Sequence, residues 1–319
     1  MDKSNTNKKD LTSSTSVVAA TDSDIIQNSN NKIFKKSMHK IFSYIPFINN
    51  KKKKNIAILR IDGVIGKVGF KGGITISSIN KTIEDCFKIK DLELVCMVIN
   101  CPGGSPVQTE LIAKKIKLLA KKRSVLIYCF VEDVAASGGY WIASIADKIF
   151  ATKSSIIGSI GVISSSFGFN KMIEKIGIER RIHTQGNNKS VLDPFRPQKE
   201  EDTKIIKNIQ KNIHDHFIDH VKNHRSNKLT QDDEIIFNGM FWSGERALDY
   251  GLIDEIGDLY SYLYSKYGED NINIHYVENK GGWFKKKLGL STIDNESRVI
   301  SNIIDIVDNK LFSNKYNLK

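Results

Sequence analysis

One serine, set between small apolar residues and two glycines in Val134-Ala135-Ala136-Ser137-Gly138-Gly139, constrains this chain more than any other feature. Ahead of it, Ser124 to Val131 is an apolar run that reads as a buried strand; behind it, Tyr140 to Ala146 reads as a short buried helix. A serine at such a strand-to-helix turn can project its hydroxyl into a cleft. The glycines let a substrate backbone approach and tolerate backbone angles barred to other residues. The same serine could simply cap the helix, as serine does well. The junction alone does not choose between these readings.

Three further segments share its character. Leu94 to Ile99 reads as an earlier strand and runs into Asn100-Cys101-Pro102-Gly103-Gly104-Ser105-Pro106, a glycine pair before a helix. Ile157-Gly158-Ser159-Ile160-Gly161-Val162-Ile163 is another glycine-punctuated turn. Gly186-Asn187-Asn188-Lys189-Ser190-Val191-Leu192-Asp193-Pro194-Phe195 carries one lysine in a loop whose first seven residues hold no acid. In this order, and with Phe241-Trp242-Ser243-Gly244 and Gly251-Leu252-Ile253-Asp254-Glu255-Ile256-Gly257 after them, the segments resemble the S49 peptidases, the signal peptide peptidase A group of serine proteases. The resemblance runs from about Ile56 to about Gly257. It implies the crotonase-like, or caseinolytic-protease-like, ββα superhelix, which periodicity alone does not reveal.

The resemblance places the nucleophile at Ser137 and the general base at Lys189. A serine hydroxyl is a poor nucleophile until a neighbouring base takes its proton. A lysine can do so only when neutral, and its ordinary pKa of about 10.4 forbids that at neutral pH. Burial beside apolar groups, away from carboxylates, lowers it. Asp193 is the nearest acid in sequence, so its side chain must turn away. Ser159 falls on the position whose hydroxyl orients the lysine, although a turn serine between glycines is an equal reading. Backbone amides around Gly103 and Gly104, with Gly138 after the nucleophile, are the expected oxyanion hole. Cys101 stands where the family more often has serine.

Histidine rivals are weaker. His183 lies near Lys189, but Arg180 and Arg181 before it suit an exposed strand end. His216, His220 and His224 recur every four residues on a helix expected over roughly 200–223, a spacing that could bind zinc. The stripe Ile209, Ile213, Phe217 and Val221 accounts for that helix and leaves the histidines flanking or solvated. Cys86, Cys96, Cys101 and Cys129 form no Cys-x-x-Cys pair and read as buried free thiols. No metal, nucleotide or other cofactor is expected.

Alternating strand and helix signals over 56–200 indicate an α/β class, with Ile56 to Ile61 the first strand and Thr109 to Leu119 a helix. Three regions follow: a basic tail, residues 1–54; a peptidase domain, 55–260; and a partly helical C-terminal extension, 261–319, with Ile300, Ile303, Ile304, Val307 and Leu311 at helical spacing. The first 31 residues are polar enough to read as disordered. Lys32 to Lys54 holds eight lysines and no acid, carrying +8 of the formal +12. Its part 32–48 reads as a short amphipathic helix. Such a segment suits an anionic membrane surface; a solvated tail is the plainer reading. Nucleic acid is not an expected partner, since arginine is absent there and the body carries no nucleic-acid-binding motif.

No apolar stretch reaches the roughly 20 residues of a spanning helix, and no signal peptide is evident. The expected location is therefore cytoplasmic, peripheral at the inner membrane. The resemblance also implies a homo-oligomeric ring in which neighbouring subunits complete each active site, and hydrophobic peptides such as signal-peptide remnants as substrates. Two alternatives stay open: a catalytically silent membrane-bound scaffold, and a crotonase-type acyl-CoA enzyme that would have no use for Lys189.

Overall fold

The computed structural model describes residues 52–67 and 73–277. The basic amphipathic segment 32–48 and the apolar pattern Ile300–Leu311 lie outside the described residues.

Strand β2, Leu92–Cys101, reads LELVCMVINC and is buried on both faces from Leu94 to Ile99, as a central parallel strand must be. It pairs in parallel with β1, Lys54–Asp62, and with β3, Leu126–Ala136. The crossovers are helices: α1, Ile76–Lys88, between β1 and β2, and α2, Pro106–Arg123, between β2 and β3. Thr75 and Ser78 form a reciprocal capping box at the start of α1. Pro106 opens α2, where its missing N–H costs nothing.

At β3 the sheet forks. Tyr128–Val131 pairs with β4, Lys148–Ala151, while Val134–Ala136 pairs with β5, Ile156–Gly158. The exposed Glu132 and Asp133 mark the change of partner. β3 thus runs five residues beyond Val131, where the apolar run ends, and delivers the chain to Ser137. Helix α3, Gly138–Ser144, follows at once. Then come α4, Asn170–Lys175; the long α5, Glu200–Arg225; α6, Asp233–Ile236; β6, Phe241–Ser243, antiparallel to β5; α7, Gly244–Asp249; and β7, Glu255–Ile256, beside β4. The described strands form one mixed, mainly parallel sheet of an α/β fold.

The chain crosses residue 260 without leaving this body. Helix α8, Leu259–Tyr267, packs Leu259 and Leu263 against one face of the sheet, and β8, Ile272–Tyr276, pairs in parallel with β1. The opposite face holds the larger core, where α1, α2, α3 and α5 bury Ile83, Ile112, Ile142 and Phe217.

Among the described residues no helix is long and apolar enough to cross a membrane. All four cysteines are free and buried, as their apolar settings imply. Burial pushes the Cys86 and Cys101 thiols up to about 12, leaving them protonated. Two lysines of the tetralysine run are already engaged: Lys52 pairs with Asp91 at 2.5 Å and Lys54 with Glu93 at 2.8 Å.

Candidate active site

Ser137 leaves β3 with φ 52° and ψ −122°. A non-glycine residue in such a conformation costs on the order of 1–3 kcal/mol and persists only where its surroundings impose it. Here they do. The Ser137 amide donates to the Gly158 carbonyl at 2.8 Å, and its own carbonyl accepts the Trp141 amide at 3.0 Å. Gly103, at φ +111°, lies directly against it: a β-carbon there would stand 2.7 Å from Ser137 Cβ. Ser137 makes no side-chain capping bond to α3, which removes the plainer reading of this serine.

The hydroxyl-bearing residue borders a cavity of about 480 Å³ that Ser159, Gly104 and Gly138 also line. Pro102, Pro106, Val162, Ile163, Ile213 and Phe217 make the rest of its wall largely apolar. Gly103 itself is buried behind Ser137. Its carbonyl accepts the Ile65 amide at 2.8 Å. A trans peptide points its C=O and N–H in opposite directions, so the Gly104 N–H faces away from Ile65. Gly104 has φ +140°, and any side chain there would collide with the Ile65 carbonyl. Gly138 starts a helix, where amides lack intrahelical acceptors.

Ser159, like Ser137, holds a positive φ, at 53°. The sheet ladder ends at Gly158, opposite Phe241, and the Ser159 amide donates to the Met240 carbonyl at 2.7 Å.

Lys189 is not part of this wall. It is exposed, in the turns Gly186–Phe195, and no ion pair involves it among the described residues. Asp193 does turn elsewhere: its buried carboxylate accepts from the Arg180 guanidinium at 3.4 Å and from the Phe195 amide at 3.0 Å. His183 is exposed.

The histidines of α5 differ from the expectation. Only His216 is exposed; His220 stacks on Trp141 with ring centroids 4.7 Å apart, and its Nε2 meets the Trp141 carbonyl oxygen at 3.0 Å. Ile209, assigned to the apolar stripe, is 50 % exposed. The residue missed is His214, which lines the cavity with its Nε2 3.1 Å from the Ile160 carbonyl oxygen. It lies three residues before buried Phe217 and seven before buried Val221, so helical spacing from these two would have found it.

The sequence model of peptidase family S49 matches residues 118–269, which span Ser137, Ser159 and Lys189. A Brucella melitensis protein named Na(+)/H(+) antiporter NhaA is 44% identical over 235 residues, 73% of this chain but 32% of that protein. The chain thus spans about a third of that relative's length. The serine protease SPPA, chloroplastic, of Arabidopsis thaliana is 31% identical over 65% of this chain and 31% of its own length. A Buchnera aphidicola (subsp. Schizaphis graminum) protein named probable protease SohB is 31% identical over 299 residues, 92% of this chain and 83% of that protein. The chain belongs to peptidase family S49, a family of serine peptidases.

Proposed function

We propose that the protein is a serine endopeptidase acting on hydrophobic peptides, with Ser137 as nucleophile and Lys189 as general base. The observation that carries this is the forced conformation of Ser137 at the rim of an apolar cavity, beside Gly104 and Gly138. Ser137 Oγ attacks the scissile carbonyl carbon, and the oxygen, now anionic, is met by the Gly104 and Gly138 amides. The neutral amine of Lys189 takes the hydroxyl proton and passes it to the departing amine. Water, activated by the same amine, then hydrolyses the acyl-enzyme. Ser159 orients the lysine. No step requires a metal or cofactor. The apolar wall favours peptides such as signal-peptide remnants, and the forked sheet is compatible with the ββα superhelix.

The exposed position of Lys189 is consistent with a lysine supplied across a subunit boundary. The arm that carries it is rich in exposed apolar residues: Ile163, Phe167, Met172, Ile176 and Ile178 are each more than half exposed, at 52–79 %. Exposure on this scale suits a surface covered by a second copy of the chain. The basic segment 32–54 is proposed to rest on anionic lipid at the inner membrane face.

Hydrolysis of a hydrophobic peptide library by wild type, Ser137→Ala and Lys189→Ala, from pH 6 to 10, tests the dyad. Both variants should be inactive, and wild-type activity should rise as lysine deprotonates. Mixing the two inactive variants should restore part of the activity if sites are shared between subunits. An active Lys189→Ala, or an inactive wild type in every oligomeric form, would remove the proposal. Loss of residues 1–51 should weaken binding to anionic vesicles while sparing cleavage of soluble peptides.

A further inference from the structure

We infer that His214 is a positioning residue of this site, holding the Ser159–Gly161 turn in its working shape from helix α5. The inference rests on the peptidase reading above. Among the described residues His214 is the one titratable side chain lining the cavity that Ser137 and Ser159 share.

The need for such a residue follows from where the sheet stops. Beyond Gly158 the chain has no strand partner, yet Ser159 holds a positive φ. The Met240 carbonyl fixes the peptide group before Ser159. Two peptide groups on, the one between Ile160 and Gly161 is fixed by His214 Nε2 on the Ile160 carbonyl at 3.1 Å. A carbonyl oxygen only accepts, so Nε2 carries the hydrogen of this bond. The Ile160 side chain is fully buried, which pins the same residue from its other side. Ser159 is therefore held by one hydrogen bond at its amide and by a second just beyond it.

Helix α5 gives this bond a rigid base. Phe217, one turn on, stacks on Trp141 with centroids 4.8 Å apart, and His220 binds the Trp141 carbonyl oxygen. Trp141 belongs to α3, the helix that starts just after Ser137. One helix face, His214–Phe217–His220, thereby grips both the element behind the nucleophile and the turn that carries Ser159. Such a support acts through the turn that carries Ser159, so its loss falls on kcat more than on KM.

The test is a double-mutant cycle with a chromogenic hydrophobic peptide on the full-length protein. His214→Leu should lower kcat by about tenfold, the size of one lost hydrogen bond, with a smaller change in KM. His214→Gln, whose amide can still donate to Ile160, should recover most of that loss. In a Ser159→Ala background, His214→Leu should cost little more, because its effect passes through Ser159. Equal losses in both backgrounds, or Gln as poor as Leu, would overturn the inference. Ring ¹⁵N shifts of His214 supply a measurement independent of catalysis: hydrogen on Nε2 is expected, and a ring with hydrogen on Nδ1 alone would overturn it. Failure of the peptidase reading would show separately, as a Ser137→Ala variant that keeps wild-type activity or a wild type that has none.

Discussion

Ser137 and Ser159 are joined through a single peptide group: the Gly158 carbonyl accepts the Ser137 amide at 2.8 Å, and the Ser159 amide on the other side donates to Met240 at 2.7 Å. Both serines hold positive φ, at 52° and 53°. Two unfavourable backbone conformations thus share one hydrogen-bonded strut. Strain of this kind at the Ser137 turn stabilises the fold less than a relaxed turn would.

That strain is measurable. Ser137→Ala keeps the side chain that makes φ 52° costly, whereas Ser137→Gly removes it. Glycine gains about 1–3 kcal/mol from relief of strain and loses about 0.4–1 kcal/mol through its freer unfolded chain. Ser137→Gly should therefore melt above Ser137→Ala, by a few degrees at about 2–4 °C per kcal/mol. Both should be inactive. A glycine variant that melts below the alanine variant would show the turn to be unstrained.

Gly103 offers a second reading of the same contact. Its missing β-carbon is what allows Ser137 to sit where it does, at a virtual distance of 2.7 Å. Gly103→Ala must push Ser137 aside or tilt the Pro102–Gly104 loop. A displacement near 1 Å costs about a hundredfold in rate, so a loss of at least that size in kcat/KM is expected. Destabilisation of about 1–3 kcal/mol should accompany it, seen in urea melts. Near-normal activity would mean that the loop yields without moving Ser137.

His220 gives the fold an acid limb. Burial, then the neighbouring His224, lowers its pKa to about 4, against the hydrogen bond to Trp141, which raises it. A histidine depressed in the folded state contributes its stability above the unfolded pKa of about 6.5. That contribution is lost as pH falls from about 6.5 through 4, and amounts to no more than about 3 kcal/mol. His220→Gln should flatten the stability profile across that window while wild type declines. Parallel profiles would show that His220 is not the group responsible.

Much of the fold is legible because burial on both faces leaves continuous apolar runs, as in Val95–Ile99 and Leu126–Val131. The end of β3 is not, since Glu132 and Asp133 interrupt the run and only pairing with β5 carries the strand on to Ser137. Polar Ile272–Tyr276 is equally silent; its parallel register with β1 at the sheet edge is a long-range fact. At the site, Ser137 announces itself through local small residues. His214 does not, because the four-residue recurrence of His216, His220 and His224 marks a different set of positions on the same helix. Lys189 is proposed from its motif alone, and its exposure in a single chain is nowhere written in the residues around it.

The last prediction concerns what holds α5 in place. Arg225, at its C-terminal end, is 1 % exposed and bonds Asp254 at 2.7 Å and the Gly251 carbonyl at 2.6 Å. Asp254 also pairs with Lys228 at 2.6 Å and accepts the Ile149 amide at 2.8 Å. Burial pushes the Asp254 carboxyl up, but its bonds to Arg225 and Lys228 outweigh that and hold it below the usual carboxylate range. Removing one partner of a buried pair leaves the other charge without compensation, at about 3–5 kcal/mol. Asp254→Ala should lower stability by about that much in denaturant titrations. Because α5 carries His214, a milder change such as Asp254→Asn should lower kcat below the melting transition while Ser137 keeps its position. A destabilised Asp254→Asn with unchanged kcat would show that the anchor serves the fold alone.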